Sequence, residues 1–133
     1  MTEQEKELLL KDLCARLPYG VKVGVYMYTT KNYFTTILRS INPTDGTFQV
    51  GSVHYDDLSR CKPYLRPMSS MTEEERNEFD EYTFEVISFF GQAVEAGQLT
   101  DWLNAHHFDY RGLIEKGLAI ESPEGMYDEQ KPD

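Results

Sequence analysis

Three stretches of alternating side chains between residues 21 and 53, joined by short polar turns, constrain the fold of this chain most tightly. In VKVGVYMYT (21–29), Val21, Val23, Val25 and Met27 point one way, and Lys22, Gly24, Tyr26 and Tyr28 point the other. A period of two is the mark of a strand with one core face. Thr30, Lys31 and Asn32 make a polar turn, and YFTTILRSI (33–41), rich in β-branched and aromatic residues, reads as a second strand. NPTDG (42–46) is a turn, because proline presets φ and glycine accepts a positive one. TFQVGSV (47–53) is the third strand. Sequential strands joined this way form an antiparallel meander. Gly24 and Gly51 would let it curl into a small, SH3-like barrel. Val21, Val23, Val25, Ile37, Phe48 and Val50 are its expected core.

Helical signals flank this segment. Thr2 with Glu5 makes a capping box for a helix over 3–16, with Leu9, Leu10, Leu13 and Leu17 as its apolar stripe and Pro18 and Gly20 as its stop. Residues 56–71 contain two prolines and read as a linker tied to the core by Tyr64, Leu65 and Met68. Thr72 with Glu75 makes a second capping box. Phe79, Tyr82, Val86, Phe90 and Ala93 then recur at helical steps, which favours helix to about residue 95. The β-rich run YTFEVISFF leaves a change to strand after Glu81 as the alternative. Gly97 is a turn candidate, Thr100 a cap for a short helix through Trp102 and Leu103, and Asp109 a cap for another through Leu113 and Ile114 that ends at Gly117. Leu118 and Ile120 either add an edge strand or pack back, and from Ser122 the composition predicts a fraying tail. The fold class is therefore a single α+β domain: helix over 1–17, antiparallel sheet and linker over 20–71, a helical part over 72–121 and a tail over 122–133.

The stretch AHHFDYRG (105–112) concentrates titratable side chains, yet its spacing does not suit a metal. His106 and His107 are adjacent, about 100° apart on a helix, whereas two ligands on one face need i, i+4 spacing. Neither His54 nor Asp109 is spaced to complete a site, so no metal and no cofactor is expected. The stretch reads as a junction between helices. Asp109 caps the second helix at an expected cost of about 0.5–2 kcal/mol on removal, Phe108 packs inward, and the histidines close the first helix with a charge that suits its dipole. Arg111 beside Asp109 and Glu115 reads as a surface ion pair, and Glu73–Glu75 with Glu78, Asp80 and Glu81 as a solvated helix face.

No nucleophile elbow, P-loop, dinucleotide fingerprint or zinc knuckle occurs, so no catalytic residue is assigned. Cys61 lies between Arg60 and Lys62, which would lower its pKa, but a lone cysteine of this kind is ordinarily inert. Cys14 and Cys61 form no CxxC and read as reduced thiols of a cytoplasmic protein. The N-terminus lacks the pattern of a signal peptide and no stretch is long enough to span a bilayer, so no membrane partner is expected.

The net charge of −10 is uneven: residues 20–66 carry six bases and three acids, while residues 67–133 carry four bases and sixteen acids. An acidic chain is a poor general binder of nucleic acid. The basic middle segment nevertheless offers Lys22, Tyr26, Tyr28, Arg39, Arg60, Lys62 and Arg66 as an aromatic–basic face. Such faces stack single-stranded nucleic acid on small barrels. The competing reading has the acidic helices after residue 72 docking on these bases. The last two helices have the outline of a helix-turn-helix, but DYRGLIEKG offers only Arg111 and Lys116 to phosphates, against Asp109 and Glu115.

PYLRPMSSMTEEE (63–75), taken with DWLNAHHFDYRGLIEKGLAIESPEGMY (101–127), resembles a group of small uncharacterised proteins of gut Bacteroidetes and their phages or mobile elements. That group has no known activity, so the resemblance implies a genomic setting and a shared C-terminal module, and no reaction or functional residues. The leading expectation is a non-enzymatic binding or adaptor module with a protein partner. The alternative is a nucleic-acid-associated accessory protein using the basic, tyrosine-rich face, and a metal-dependent hydrolase ranks third.

Overall fold

The alternating stretches do form an antiparallel meander. The computed structural model describes residues 1–88 and 93–128, with side chains described outside 84–96. Strand β1 (Lys22–Met27) pairs with β2 (Asn32–Ile41), Lys22 opposite Ile37 and Met27 opposite Asn32. Strand β3 (Phe48–Val50) pairs with β2, and β4 (Val53–Tyr55) pairs back on β3. The expected third strand is thus a hairpin. Gly51, at φ 56°, supplies the left-handed turn residue, and Gly51-Ser52 reverses the chain between Val50 and Val53. Strand β5 (Cys61–Leu65) runs antiparallel to the other side of β1, and β6 (Ile120–Glu121) runs parallel to β5.

The strand order is β4-β3-β2-β1-β5-β6, and the sheet is open. It curls enough to bring Tyr55 Oη to 4.0 Å from Met27 Sδ, but the short edge strands β4 and β6 do not pair with each other, so no SH3-like barrel closes. The class is α+β, with an N-terminal helix, a mostly antiparallel sheet and further helices.

Val21, Val23, Val25, Phe48 and Val50 are buried with Leu9 and Leu13 of helix α1 (Glu3–Arg16). Ile37 is not: it stands 47% exposed, and Leu38 is buried instead. The register explains the correction. Ile37 lies opposite Lys22 on the outer face, whereas the Leu38 amide donates to the Val21 carbonyl and its side chain joins the inner face. A shift of one residue in phase moves a side chain across the sheet.

The expected linker contains β5, hidden from the sequence by Pro63. Pro63 faces Val23, which it can do only as a non-hydrogen-bonded pair. On its other side β6 pairs only with Tyr64 and Leu65, so the missing donor is not required there.

Both capping boxes are present, Thr2 with Glu5 and Thr72 with Glu75. Helix α2 (Glu73–Ser88) takes in the β-rich run as far as Ser88, so the chain does not change to strand after Glu81; Phe89 and Phe90 of that run lie outside the described residues. Val86 and Ala93 of the expected stripe lie outside the described side chains. Helix α3 (Ala93–Ala105) passes through both Gly97 and Thr100, which correct to helix-interior positions. Its Trp102 and Leu103 pack with Leu99, Phe79 and Tyr82, and that burial outweighs the roughly 1 kcal/mol cost of one helical glycine. No helix forms over 109–117; Gly112 and Gly117, at φ 74° and 75°, turn the chain instead. The expected tail is anchored at Tyr127, which is buried and donates to the Tyr64 carbonyl at 2.7 Å. Residues 129–133 of that tail lie outside the described residues.

Candidate binding face

The seven residues of the expected aromatic–basic face fall into two groups. Tyr26, Tyr28, Arg60 and Lys62 come together, joined by two tyrosines that sequence reasoning did not select. Tyr26 lies opposite Tyr33 across the β1–β2 hairpin, their rings 5.3 Å apart and near perpendicular. Tyr28 meets the Tyr26 ring edge-on at 5.4 Å. Arg60 donates to the Tyr26 carbonyl from Nε and Nη2, at 2.9 and 2.8 Å. Its guanidinium lies 4.8 Å from the Tyr28 ring centre and 4.9 Å from that of Tyr55. Lys62 lies over Tyr33 at 5.6 Å. Each cation takes a ring face and is attracted by its quadrupole. Tyr33 was legible in principle: a turn over 28–31 puts Asn32 opposite Met27 and therefore Tyr33 opposite Tyr26.

The other three residues are engaged elsewhere. Lys22 Nζ donates to the Met126 carbonyl and lies over the Tyr127 ring, which fastens the C-terminal segment to β1. Arg39 donates to the Gly51 carbonyl at the start of the β3–β4 turn. Arg66 makes a two-pronged pair with Glu75, both contacts at 2.7 Å. Burial pushes the Glu75 carboxyl up, but the Arg66 fork and the Thr72 amide outweigh it and hold the group down to about 2. Glu75 therefore leaves the solvated acidic face, and Glu78 accepts from Trp102 Nε1 at 2.8 Å. The docking of acidic helices on the bases is limited, among the described pairs, to Arg66 with Glu75.

The AHHFDYRG stretch closes α3 and leads into a turn, not into the expected second helix. The His107 amide donates to the Asn104 carbonyl and the Phe108 amide to the Leu103 carbonyl. That is a Schellman closure of α3, with His107 in the left-handed position usually given to glycine (φ 63°). Its ring is buried and stacked on Tyr127 at 3.7 Å. Burial, joined by the nearby Arg16 charge, pushes it down to about 3, so His107 is neutral and does not serve the helix dipole. Both its ring nitrogens, and Arg16 Nη1, are buried without a hydrogen-bond partner among the described residues. His106 Nδ1 lies 2.9 Å from the Trp102 carbonyl, which can only accept, so that nitrogen carries the proton.

Phe108 is buried as expected, and Asp109 accepts from the amides of Leu113 and Ile114 at 2.9 and 3.0 Å, beyond the first amides a cap would take. Arg111 is no surface pair with Glu115. It reaches Asp12 of α1 at 3.1 Å. Asp12 and Arg16 are themselves fully buried and paired at 2.9 Å, and Arg16 also donates to the Phe108 carbonyl.

A cleft of about 570 Å³ opens beside this junction, walled by Arg66, Ser70, Thr72, His106, Ser122 and Tyr127. Arg66 is already bound by Glu75, and Tyr127 covers the His107 ring. His54 lies on β4, at the opposite edge of the sheet from β5 and β6. Among the described residues no group of three or more His, Cys, Asp or Glu is placed to hold a metal ion. Cys61 is fully buried, which pushes its thiol up to about 12, so its basic neighbours do not activate it. No helix among the described residues is long and apolar enough to cross a membrane. Comparison of the chain with protein-family models, with curated proteins and with solved structures found no match to any of them.

Proposed function

We propose that this protein is a non-enzymatic binding module that docks another protein on the β1–β4 half of its sheet. One observation carries the reading. Among the described residues, the exposed large apolar side chains are Tyr28 (64%), Phe34 (45%), Ile37 (47%), Val53 (49%) and the N-terminal Met1. Scattered single apolar residues are ordinary; these four fall within residues 28–53, with Phe34 opposite Val25 on the inner side of β2 and Ile37 opposite Lys22 on its outer side, so they flank the end of β2, and a partner that covered that edge would bury them. Tyrosine and arginine, the residue types that dominate interface hot spots, adjoin them in Tyr26, Tyr33 and Arg60. A base-stacking platform is less well supported, because Arg60 and Lys62 already occupy ring faces of Tyr28, Tyr55 and Tyr33. On the resemblance noted above, such an adaptor would act in the cytoplasm for a phage or mobile element.

The test is photo-cross-linking in the protein's native cells, with a benzophenone amino acid at Tyr28 or, as control, at exposed Glu115. A protein adduct specific to position 28, lost on Phe34→Ala with Ile37→Ala, is the expected result. Adducts to nucleic acid, or none above the Glu115 control, would overturn the reading.

A further inference from the structure

We infer that the outer edge of β2, from Asn32 to Ile37, is a strand-acceptor site for an acidic, extended peptide segment. The inference rests on the protein-binding reading above and names its partner. The Leu38 amide donates to the Val21 carbonyl at 3.1 Å. In an antiparallel ladder the amides of Thr36 and Phe34 then also face β1, and those of Tyr33, Thr35 and Ile37 face away from it. Strand β3 pairs with β2 at Leu38, Ser40 and Ile41, so among the described residues the stretch 32–37 has a strand on one side alone. The Tyr33 amide is satisfied by the Asn32 side chain at 2.8 Å. Thr35 presents its amide and carbonyl outward and Ile37 its amide, flanked by the exposed Phe34 and Ile37 side chains on the two faces of β2. An unpaired edge of this kind is a template for another strand. Main-chain hydrogen bonds supply affinity in such pairing, and alternate side chains supply specificity.

Charge selects the occupant. Lys31 stands at one end of the edge and Arg39 at the other, with no acidic residue between. A partner with carboxylates bracketing an apolar centre complements that arrangement. A second copy of this chain does not. Two-fold antiparallel pairing centred on Thr35 would end at Ile37, where β3 begins, and would bring Lys31 of each copy toward Arg39 of the other, an approach of like charges that costs free energy.

The probe is an acetylated heptapeptide of alternating Val and Thr with Glu at both ends, titrated into the ¹⁵N-labelled full chain. Binding should shift the Thr35 and Ile37 amides, slow their exchange with solvent, and weaken as salt rises. A peptide ending in Lys should bind at least tenfold more weakly, and one N-methylated at every internal amide should not bind. Lys31→Glu with Arg39→Glu should reverse the preference between Glu and Lys ends without moving the strand. No binding at millimolar peptide, shifts centred elsewhere, or indifference to N-methylation would overturn the inference. So would a concentration-dependent dimer that protects the same amides. If the Tyr28 cross-links persist while the peptide fails, only the edge assignment falls; if both fail, the module reading falls with it.

Discussion

His107 is held in a backbone conformation that costs a non-glycine residue free energy, at a helix end where glycine is usual. Ring stacking on Tyr127 and the two closing hydrogen bonds of α3 keep it there. Its folded pKa of about 3 lies below the ordinary 6.5, so the unfolded chain takes up a proton first as pH falls. The stability that follows from a neutral His107 is complete above pH 6.5 and drains away as pH falls toward 3. Glu75, held down to about 2 from 4.5, acts in the same direction over the lower part of that range. The urea midpoint should therefore fall steadily below pH 6.5, and a flat profile between pH 7 and 4 would contradict the burial of His107. Asp109 accepts two backbone amides instead of the one expected of a cap. Asp109→Ala should cost about 1–3 kcal/mol in urea denaturation, because both donors are left unmatched.

Helix α1 turns apolar residues to the sheet and a charged pair, Asp12 and Arg16, to the junction after α3. Burial pushes the Asp12 carboxyl up despite Arg16 and Arg111 beside it, so the pair is a costly arrangement that geometry must sustain. Removing one member leaves the other charge buried alone. Asp12→Ala should cost about 3–5 kcal/mol, while Asp12→Leu with Arg16→Met should cost less than that single change. Equilibrium unfolding of the two variants compares them directly. In β2, the register makes adjacent residues unequal: Leu38→Ala should cost about 2–5 kcal/mol and Ile37→Ala within about 0.5. Equal costs would mean that the inner and outer faces of the strand are wrongly assigned.

At the scale of the molecule, the C-terminal segment is a fastener rather than a tail. The Tyr127 hydroxyl accepts from the Lys22 amide and donates to the Tyr64 carbonyl, which ties β1, β5 and the chain end together. Tyr127→Phe should cost about 1–3 kcal/mol and raise the exchange rate of the Lys22 amide well above that of its β1 neighbours. What the sequence determined by itself is local. The two capping boxes, the NPTDG turn and the inner face of β1 are settled by groups within a few residues of one another, so their chemistry is visible in a short window. The cluster of Tyr26, Tyr28, Arg60 and Lys62 was partly visible, because alternation aims side chains but does not say what lies beside them. Tertiary structure decided the rest. Arg111 finds Asp12 across 99 residues, Pro63 sits in a strand because β6 does not reach it, and Leu38 displaces Ile37 from the core. In each case the deciding partner is distant in the chain. A buried charge or an unpaired strand edge is satisfied by whatever the fold brings alongside, and no short stretch of sequence contains that partner.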